Sequence, residues 1–395
     1  MELLHNRIQE YEWGSRTALA ELLGLPSPSN VPQAELWMGA HPQAPSRVQR
    51  NGCTNSLLEV IGADPHAHLG TPLLERFGEQ LPFLLKILAA DQPLSLQVHP
   101  SLEQAREGFL REDALGIPRD GARRSYRDQN HKPELICAVT KMDALVGFRA
   151  PAETLALVDA LAVSALTRLL SPLRRSPDAT GLREGFVALM SQPREALEGL
   201  LPEVLLACTR QVSDGGPFAS EAACALRLAQ RYPLDPGVVV SLLLNHVTLA
   251  PGAAIYLGAG LLHAYLGGLG VEIMANSDNV LRCGLTSKHI DVPELTRILD
   301  FTPGEVQTLS PRCTEHPAEG VFGTPAPDFR LSRVTLTGAP VSLARRGPEV
   351  LLCLEGTVVV ATEEATLTLA RGQSAFVPAR DPVYALEGTG VLFRA

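Results

Sequence analysis

The 395-residue chain contains no CxxC pair, and its seven cysteines, at positions 53, 137, 208, 224, 283, 313 and 353, are odd in number and widely scattered. Neither a disulfide framework nor a thiolate zinc site is indicated, and free thiols fit a reducing compartment. No apolar run is long enough to span a bilayer; Leu242-Leu-Leu244, for example, is cut off by Asn245. The opening Met1-Glu2-Leu3-Leu4-His5 lacks the basic-then-apolar profile of a signal peptide, so a cytoplasmic protein with no membrane partner is expected. Basic excess is missing too. Lys and Arg total 34 against 43 Asp and Glu, a formal net charge of -9, which argues against nucleic acid as a partner. An anionic small substrate remains compatible with that charge, because a local cluster of Lys, Arg and metal can reverse the field inside one pocket.

What is present is the composition of a globular protein, 45% hydrophobic and 19% charged, at a length that predicts two or three domains. Residues 1–150 carry short apolar runs bounded by Gly, Pro and polar turns, such as Pro82-Phe-Leu-Leu-Lys-Ile-Leu88 and Leu94-Ser-Leu-Gln-Val-His99, which predict strands. A helix is expected at Thr17-Ala-Leu-Ala-Glu-Leu-Leu23, ending at Gly24. Residues 151–237 change texture. Leu155, Val158 and Leu161, then Leu197, Leu200, Leu201, Val204, Leu205 and Cys208, recur at helical spacing between prolines at 151, 193 and 233. This predicts an α-helical insertion with a structural task, since it holds no cluster of ligands. Strand texture returns from Val238 to the end. There Leu249-Ala-Pro-Gly252-Ala-Ala-Ile-Tyr-Leu-Gly-Ala259 lines up with Leu369-Ala-Arg-Gly372-Gln-Ser-Ala-Phe-Val-Pro-Ala379. A repeated strand, glycine turn and strand predicts two jelly-roll barrels in tandem. His263 follows Gly252 by eleven residues, Val383 follows Gly372 by the same interval, and no histidine occurs after His316. The chemistry is therefore expected in the first barrel.

Gln97 and His99 are two residues apart, so in a strand they leave the same face, with Leu96 and Val98 on the other. Glu134 opens the apolar run Leu135-Ile-Cys-Ala-Val139, where a carboxylate is costly to bury unless paired or metal-bound. His263 lies in a Gly-rich turn after the repeat hairpin. Each alone reads better as an ordinary surface or core residue. Together they offer two imidazoles, a carboxylate and an amide oxygen, a set that suits a catalytic zinc. The stretch from Gly270 to Asp291 is the densest polar segment; it holds Glu272, Asp278, Arg282 and Lys288, and the last two suit a phosphate.

The strings Tyr11-Glu-Trp13-Gly14-Ser15, Ala34-Glu-Leu-Trp37-Met-Gly-Ala-His41-Pro42, Pro82-Phe-Leu-Leu-Lys86, Pro93-Leu-Ser95-Leu-Gln97-Val-His99-Pro100, Asn130-His-Lys-Pro-Glu134-Leu and Met274-Ala-Asn-Ser-Asp-Asn-Val-Leu-Arg282 resemble the type I mannose-6-phosphate isomerase (phosphomannose isomerase) family. The resemblance runs from the first residues to about position 295. It departs at Glu12, where Ala is frequent, and in a divergent C-terminal portion. It implies that Gln97, His99, Glu134 and His263 bind one Zn2+ per chain, that Arg282 is catalytic, and that Lys132 and Lys86 lie in the pocket. It also implies cupin-like barrels with a helical insertion. The expected organisation is a catalytic barrel from residues 1–150 and 238–310, the insertion at 151–237, and a C-terminal barrel at 311–395.

The expected reaction interconverts mannose 6-phosphate and fructose 6-phosphate through an enediolate, with Lys132 as base if zinc and Arg282 lower its pKa. Glu272, His131 and Asp278 are rival bases, and Lys86 assists ring opening or holds hydroxyls. Ser95, Lys288 and Arg282 are assigned to the phosphate, with Tyr265 and Trp13 also substrate-binding, and a monomer is expected. Two other readings are a metal oxygenase on a cupin barrel, which also uses two His and one Glu, and a non-catalytic sugar-phosphate sensor. The Lys and Arg residues around the site count against the first. Retention of Arg282 and every ligand counts against the second.

Overall fold

The computed structural model describes residues 1–50 and 52–395. It is mostly β-sheet with several helices, and all seven cysteines are free. Among the described residues no helix is long and apolar enough to cross a membrane. A ten-stranded antiparallel sheet follows the path Leu244–Leu249, Met142–Phe148, His263–Ala275, Phe83–Ala90, Glu35–Met38 and Arg7–Gln9. Leu96–Val98, Leu281–Gly284, Glu134–Ala138 and Ala254–Leu257 attach beside its long strand His263–Ala275. A nine-stranded sheet runs Glu2–Leu4, Ser374–Val377, Glu349–Ala361, Ala385–Arg394, Leu331–Thr337, Glu319–Phe322 and Arg312–Cys313, with Val341–Ser342 and Thr366–Ala370 at its sides. Its first strand thus comes from the opposite end of the chain. Both paths are open rather than closed rings of strands.

The alternation expected of half-buried strands decides where each face goes. Leu85, Ile87, Leu135, Val271 and Ile273 share a core with Phe322, Phe329, Phe376 and Phe393 of the second sheet's region. Leu96, Val98, Leu262, Ala264 and Leu281 pack instead into the core of the helical segment. Lys86, Gln97, Glu134, His263 and Glu272 are the sequence neighbours of these residues and so leave the opposite, inner face. Two thick apolar layers therefore back the polar wall from behind, each buried Leu or Ile contributing roughly 1.5–3 kcal/mol.

The helical stretch matches the periodicity reading. Pro151–Leu161, Ala179–Met190, Arg194–Ser213 and Ala219–Arg231 are its main helices, and Leu197, Leu200, Leu201, Val204 and Cys208 line the buried side of the third. The helix predicted at Thr17 to Leu23 spans Ala18–Leu22, with Gly24 just beyond it at φ +66°. Both halves of the internal repeat are strand, turn and strand. Gly252 at φ +88° separates Leu244–Leu249 from Ala254–Leu257, and Gly372 at φ +81° separates Thr366–Ala370 from Ser374–Val377. Side chains other than glycine rarely adopt that conformation, which is why the two turns share the residue.

Candidate metal and active site

Cross-strand register assembles the site. Gln97 stands opposite His263 on one side and opposite Arg282 on the other. Lys86 stands between Glu272 and Trp37. Directly opposed residues present their side chains to one face, so residues as far apart in sequence as Lys86 and Glu272 become neighbours. His99 follows Gln97 by two residues, and Glu134 enters from the adjoining strand opposite Met274.

One ligand atom from each of His99, Glu134 and His263 lies within 4.8 Å of the others, and all three residues are buried. The His99 Nε2 is 3.4 Å from Glu134 Oε1, and His263 Nε2 is 3.5 Å from Glu134 Oε2. The Gln97 amide lies 3.4 Å from His263 Nε2; a half-turn of this nearly symmetric group presents its oxygen instead. Each imidazole is held from behind by a main-chain carbonyl. His99 Nδ1 meets Asn279 O at 2.8 Å, and His263 Nδ1 meets Leu261 O at 2.9 Å. A proton on Nδ1 leaves the Nε2 lone pair aimed into the site, the arrangement of metal-ligating histidines. Burial pushes the His99 imidazole down to about 4, against the pull of Glu134, so it is a neutral ligand at pH 7. Burial alone would raise the Glu134 carboxyl, but Lys132 and the two histidines hold it well below the usual range.

A divalent cation fits this set. His99 Nε2 and Glu134 Oε2 are buried with no hydrogen-bond partner, which is costly unless something positive lies between them. The charge balance agrees. Lys86 Nζ is 3.5 Å from Glu35 and 3.2 Å from Glu272, and Lys132 Nζ is 3.1 Å from Glu134. Three carboxylates against two ammonium groups leave one negative charge inside, which a divalent ion converts to one positive charge. Burial raises the Glu272 carboxyl despite Lys86, and burial with Glu272 raises the Tyr265 phenol well above its ordinary value. Arg282 is pulled down by burial and by Arg127. Lys288 is pulled down by Arg282 first, then burial and Arg127. These three cations repel one another, and none forms an ion pair within 4.0 Å among the described residues. Clustered cations without a counter-charge create a local positive potential.

Against this geometry stand the likenesses to known proteins. The family "Phosphomannose isomerase type I, catalytic domain" matches residues 1–151, and "Mannose-6-phosphate isomerase, cupin domain" matches residues 319–395. The mannose-6-phosphate isomerase of Escherichia coli (strain K12) is 41% identical over 396 residues, covering 100% of this chain and 99% of that protein. The chain belongs to the type I mannose-6-phosphate isomerase family. The bovine (Bos taurus) member is 34% identical over 404 residues, covering 95% of this chain and 93% of its own. A solved zinc-bound mannose 6-phosphate isomerase superposes with a TM-score of 0.90 at 39% identity, over 100% of this chain and 98% of that one.

Within this family member the remaining residues named from sequence lie as follows. Tyr265 is buried, and its hydroxyl donates to Glu272 Oε1 at 3.0 Å. Trp13 is half-buried, with its ring 5.8 Å from that of exposed Tyr11. Ser95 is half-buried two residues before Gln97, and Lys288 is exposed. Asp278 accepts from Gln43 at 2.7 Å and lies 3.6 Å from His41 Nε2. His131 turns away from its neighbour Lys132, and its Nε2 sits 2.9 Å from Asp328 in the C-terminal region. Sequence reasoning passed over Glu35 and Trp37. Trp37 Nε1 donates to Glu35 Oε2 at 2.6 Å, and Lys86 Nζ lies 5.2 Å from the Trp37 ring. Their i, i+2 spacing within the motif from Ala34 to Pro42 was the available signal.

A second buried ionic cluster occupies the same register positions in the nine-stranded sheet. Val377 faces Glu349 as Leu257 faces Glu134; Arg394 faces Leu351 as Glu272 faces Ile136. Ser332 faces Arg394 as Lys86 faces Glu272, and Glu319 faces Val334 as Glu35 faces Leu88. Here Arg394 bridges Glu319 at 3.1 Å and Glu349, Ser332 donates to Glu319 at 2.7 Å, and Tyr384 donates to Glu349. The cluster is satisfied internally and contains no histidine.

Proposed function

We propose that the chain interconverts D-mannose 6-phosphate and D-fructose 6-phosphate at one zinc ion held by Gln97, His99, Glu134 and His263. The observation that carries this is the convergence of His99, Glu134 and His263 on one point beside Lys86 and Lys132, in a chain 41% identical from end to end to an enzyme of that name. Bound zinc supplies Lewis acidity toward the sugar oxygens where negative charge develops.

The protein's own groups do the rest. Arg282 adds a fixed positive charge beside Gln97 for the same developing charge. Lys132, acting as the free amine, takes the proton from C2 and returns it to C1, while the proton of the C2 hydroxyl passes to the C1 oxygen, so no atom is gained or lost. Glu272, His131 and Asp278 are the alternatives for this transfer. Lys86, fixed between Glu35 and Glu272, orients sugar hydroxyls and assists ring opening. Arg282, Lys288 and Ser95 hold the phosphate, and Trp13 and Tyr265 wall the sugar. The two sheets are best described as tandem cupin-like jelly rolls, with the helical stretch at 151–237 inserted into the first and residues 311–395, joined by the strand Glu2–Leu4, forming the second. A cytoplasmic monomer completes the reading. A coupled assay for fructose 6-phosphate, run on purified protein, after chelation and after zinc is restored, tests it. Activity that persists unchanged in fully chelated protein sinks the metal assignment; no activity on mannose 6-phosphate with zinc bound sinks the substrate.

A further inference from the structure

Three separated chain segments meet at Asn279, which is fully buried. Its side-chain oxygen accepts from the main-chain N–H of Arg127 at 2.7 Å and of Asp128 at 3.2 Å. Its amide nitrogen donates to the carbonyls of Asp128 and Asn130, both at 2.8 Å. All four bonding positions of the amide are therefore spent on the segment 127–130, which leads directly into Lys132 and Glu134. Asp128 answers in the other direction. Its carboxylate accepts from Asp278 N at 2.7 Å, Ser277 Oγ at 2.9 Å and Asn130 N at 2.9 Å. The main-chain carbonyl of Asn279 meets His99 Nδ1, and three residues further on stands Arg282.

The consequence is geometric. The same residue that fixes the ring of one ligand also ties the segment that carries Lys132 into the strand beginning at Glu134 to the segment that leads into the strand bearing Arg282. We propose that Asn279 is the positioning residue of the site: by clamping segment 127–130 against 277–282 it holds His99 on the metal and spaces Lys132 from Arg282. The proposal builds on the zinc-isomerase reading above. It assigns Asn279 no contact with substrate. Asp128 is its partner in the clamp.

The test compares Asn279→Asp, Asp128→Asn and the double variant with wild type, all as zinc-loaded holoenzyme. Asn279→Asp keeps the size and the accepting oxygen but turns the donor toward two carbonyls and the Asp128 carboxylate into an acceptor. Asp128→Asn turns one oxygen of a donor-surrounded carboxylate into a donor. Zinc release into a colorimetric chelator, turnover at saturating substrate, KM and melting temperature are read for each. Both single variants keep the carbonyl that meets His99 Nδ1 but loosen the segment that places it, and zinc release is expected to speed up about tenfold, the low end of the effect of disturbing a group that orients a metal ligand. Turnover is expected to fall about 10- to 100-fold, because displacements near 1 Å have effects of that size, with KM moving less. The double variant again pairs a donor with an acceptor across the 3.3 Å contact between the two side chains, so it recovers part of the Asn279→Asp loss, while the bonds to main-chain groups stay mismatched.

Leu228→Ala, in the helical core remote from the site, serves as the comparison for stability alone. If Asn279→Asp melts as low as Leu228→Ala yet releases zinc and turns over like wild type, the residue is only a structural staple and the proposal is wrong. Should Asn279→Asp fail to fold, Asp128→Asn decides the question by the same measurements. The release arm needs no substrate. Holoenzyme that binds zinc but never isomerises mannose 6-phosphate overturns the functional reading, while the order of release rates still decides the role of Asn279.

Discussion

Lys86 has almost no contact with water, and its ammonium lies between Glu35 and Glu272 with the Trp37 ring on another side. Removing one member of such a buried network leaves the others uncompensated, which is far worse than never having had the network. Lys86→Met is therefore expected to lower unfolding free energy by about 3–5 kcal/mol, measured by urea denaturation of the apo-protein; a change under about 1 kcal/mol would mean that water or protonation relieves the two carboxylates. Metal removal is read the same way. Because Glu134 Oε2 and His99 Nε2 are otherwise without partners, zinc bound only by the native state raises stability, by about 2.7 kcal/mol when free zinc is about 100 times its dissociation constant. A melting temperature that chelation leaves unmoved contradicts the site. At this scale the sequence was informative where chemistry is local. Gln97 and His99 alternate with Leu96 and Val98, and Glu134 interrupts an apolar run. It was uninformative for Glu35 and Asn279, whose tasks depend on which strand or loop lies opposite, a fact that no spacing along the chain encodes.

Among the elements, the helix Leu102–Ala114 shows how packing overrides propensity. Ser101 and Gln104 form a reciprocal cap at its start, and Gly108 in its middle faces the ring of Tyr126, which a methyl group there would overlap. Gly108→Ala gains about 1 kcal/mol of helix propensity but forces the ring aside. A net loss of about 1–2 kcal/mol is expected. Gly199, in the helix Arg194–Ser213, meets nothing within 4 Å, so Gly199→Ala should stabilise by about 0.5–1 kcal/mol in the same denaturation experiment. Equal effects at the two sites would refute this account. The helix Val292–Ile298 carries Glu294, whose carboxyl burial would raise but which hydrogen bonds from Arg297, Tyr126 and Arg111 hold below its ordinary value. A folded pKa below the unfolded one means that the stabilisation is present above about pH 4.3 and is lost as pH falls through the folded value. Melting temperature should thus drop more steeply between about pH 5 and pH 3 in wild type than in Glu294→Gln. The helices of residues 151–237 were legible from their 3.6-residue spacing, whereas Leu102–Ala114 and Val292–Ile298 lie in stretches whose texture reads as strand; Leu96–Val98 is too short for its neighbours alone to fix its pairing.

The whole molecule is tied together more tightly than its changes of texture suggest. Loop residue Asp328 grips His131, one position from Lys132, and Glu2–Leu4 pairs with Ser374–Val377, where Asn6 also donates to Ser374 Oγ at 2.7 Å. Asp328→Ala should therefore lower turnover several-fold while zinc content stays at one per chain, as read by steady-state kinetics with metal analysis; unchanged kinetics would show that the contact is dispensable. The changes of texture and the repeated glycine turn were readable because composition and φ preference are local. Pairing between the two ends was not, since three residues carry too little pattern to choose a partner some 370 positions away.

That first pairing reaches into how the molecule is made. On a ribosome Glu2–Leu4 emerges about 370 residues before its sheet partner Ser374–Val377. Until then Glu2–Leu4 is a ribbon without its partner, and unless the two pair once Ser374–Val377 is made, the nine-stranded sheet keeps a vacant edge there, the kind of surface that recruits a foreign strand. A fragment starting at residue 311 would carry that vacancy permanently.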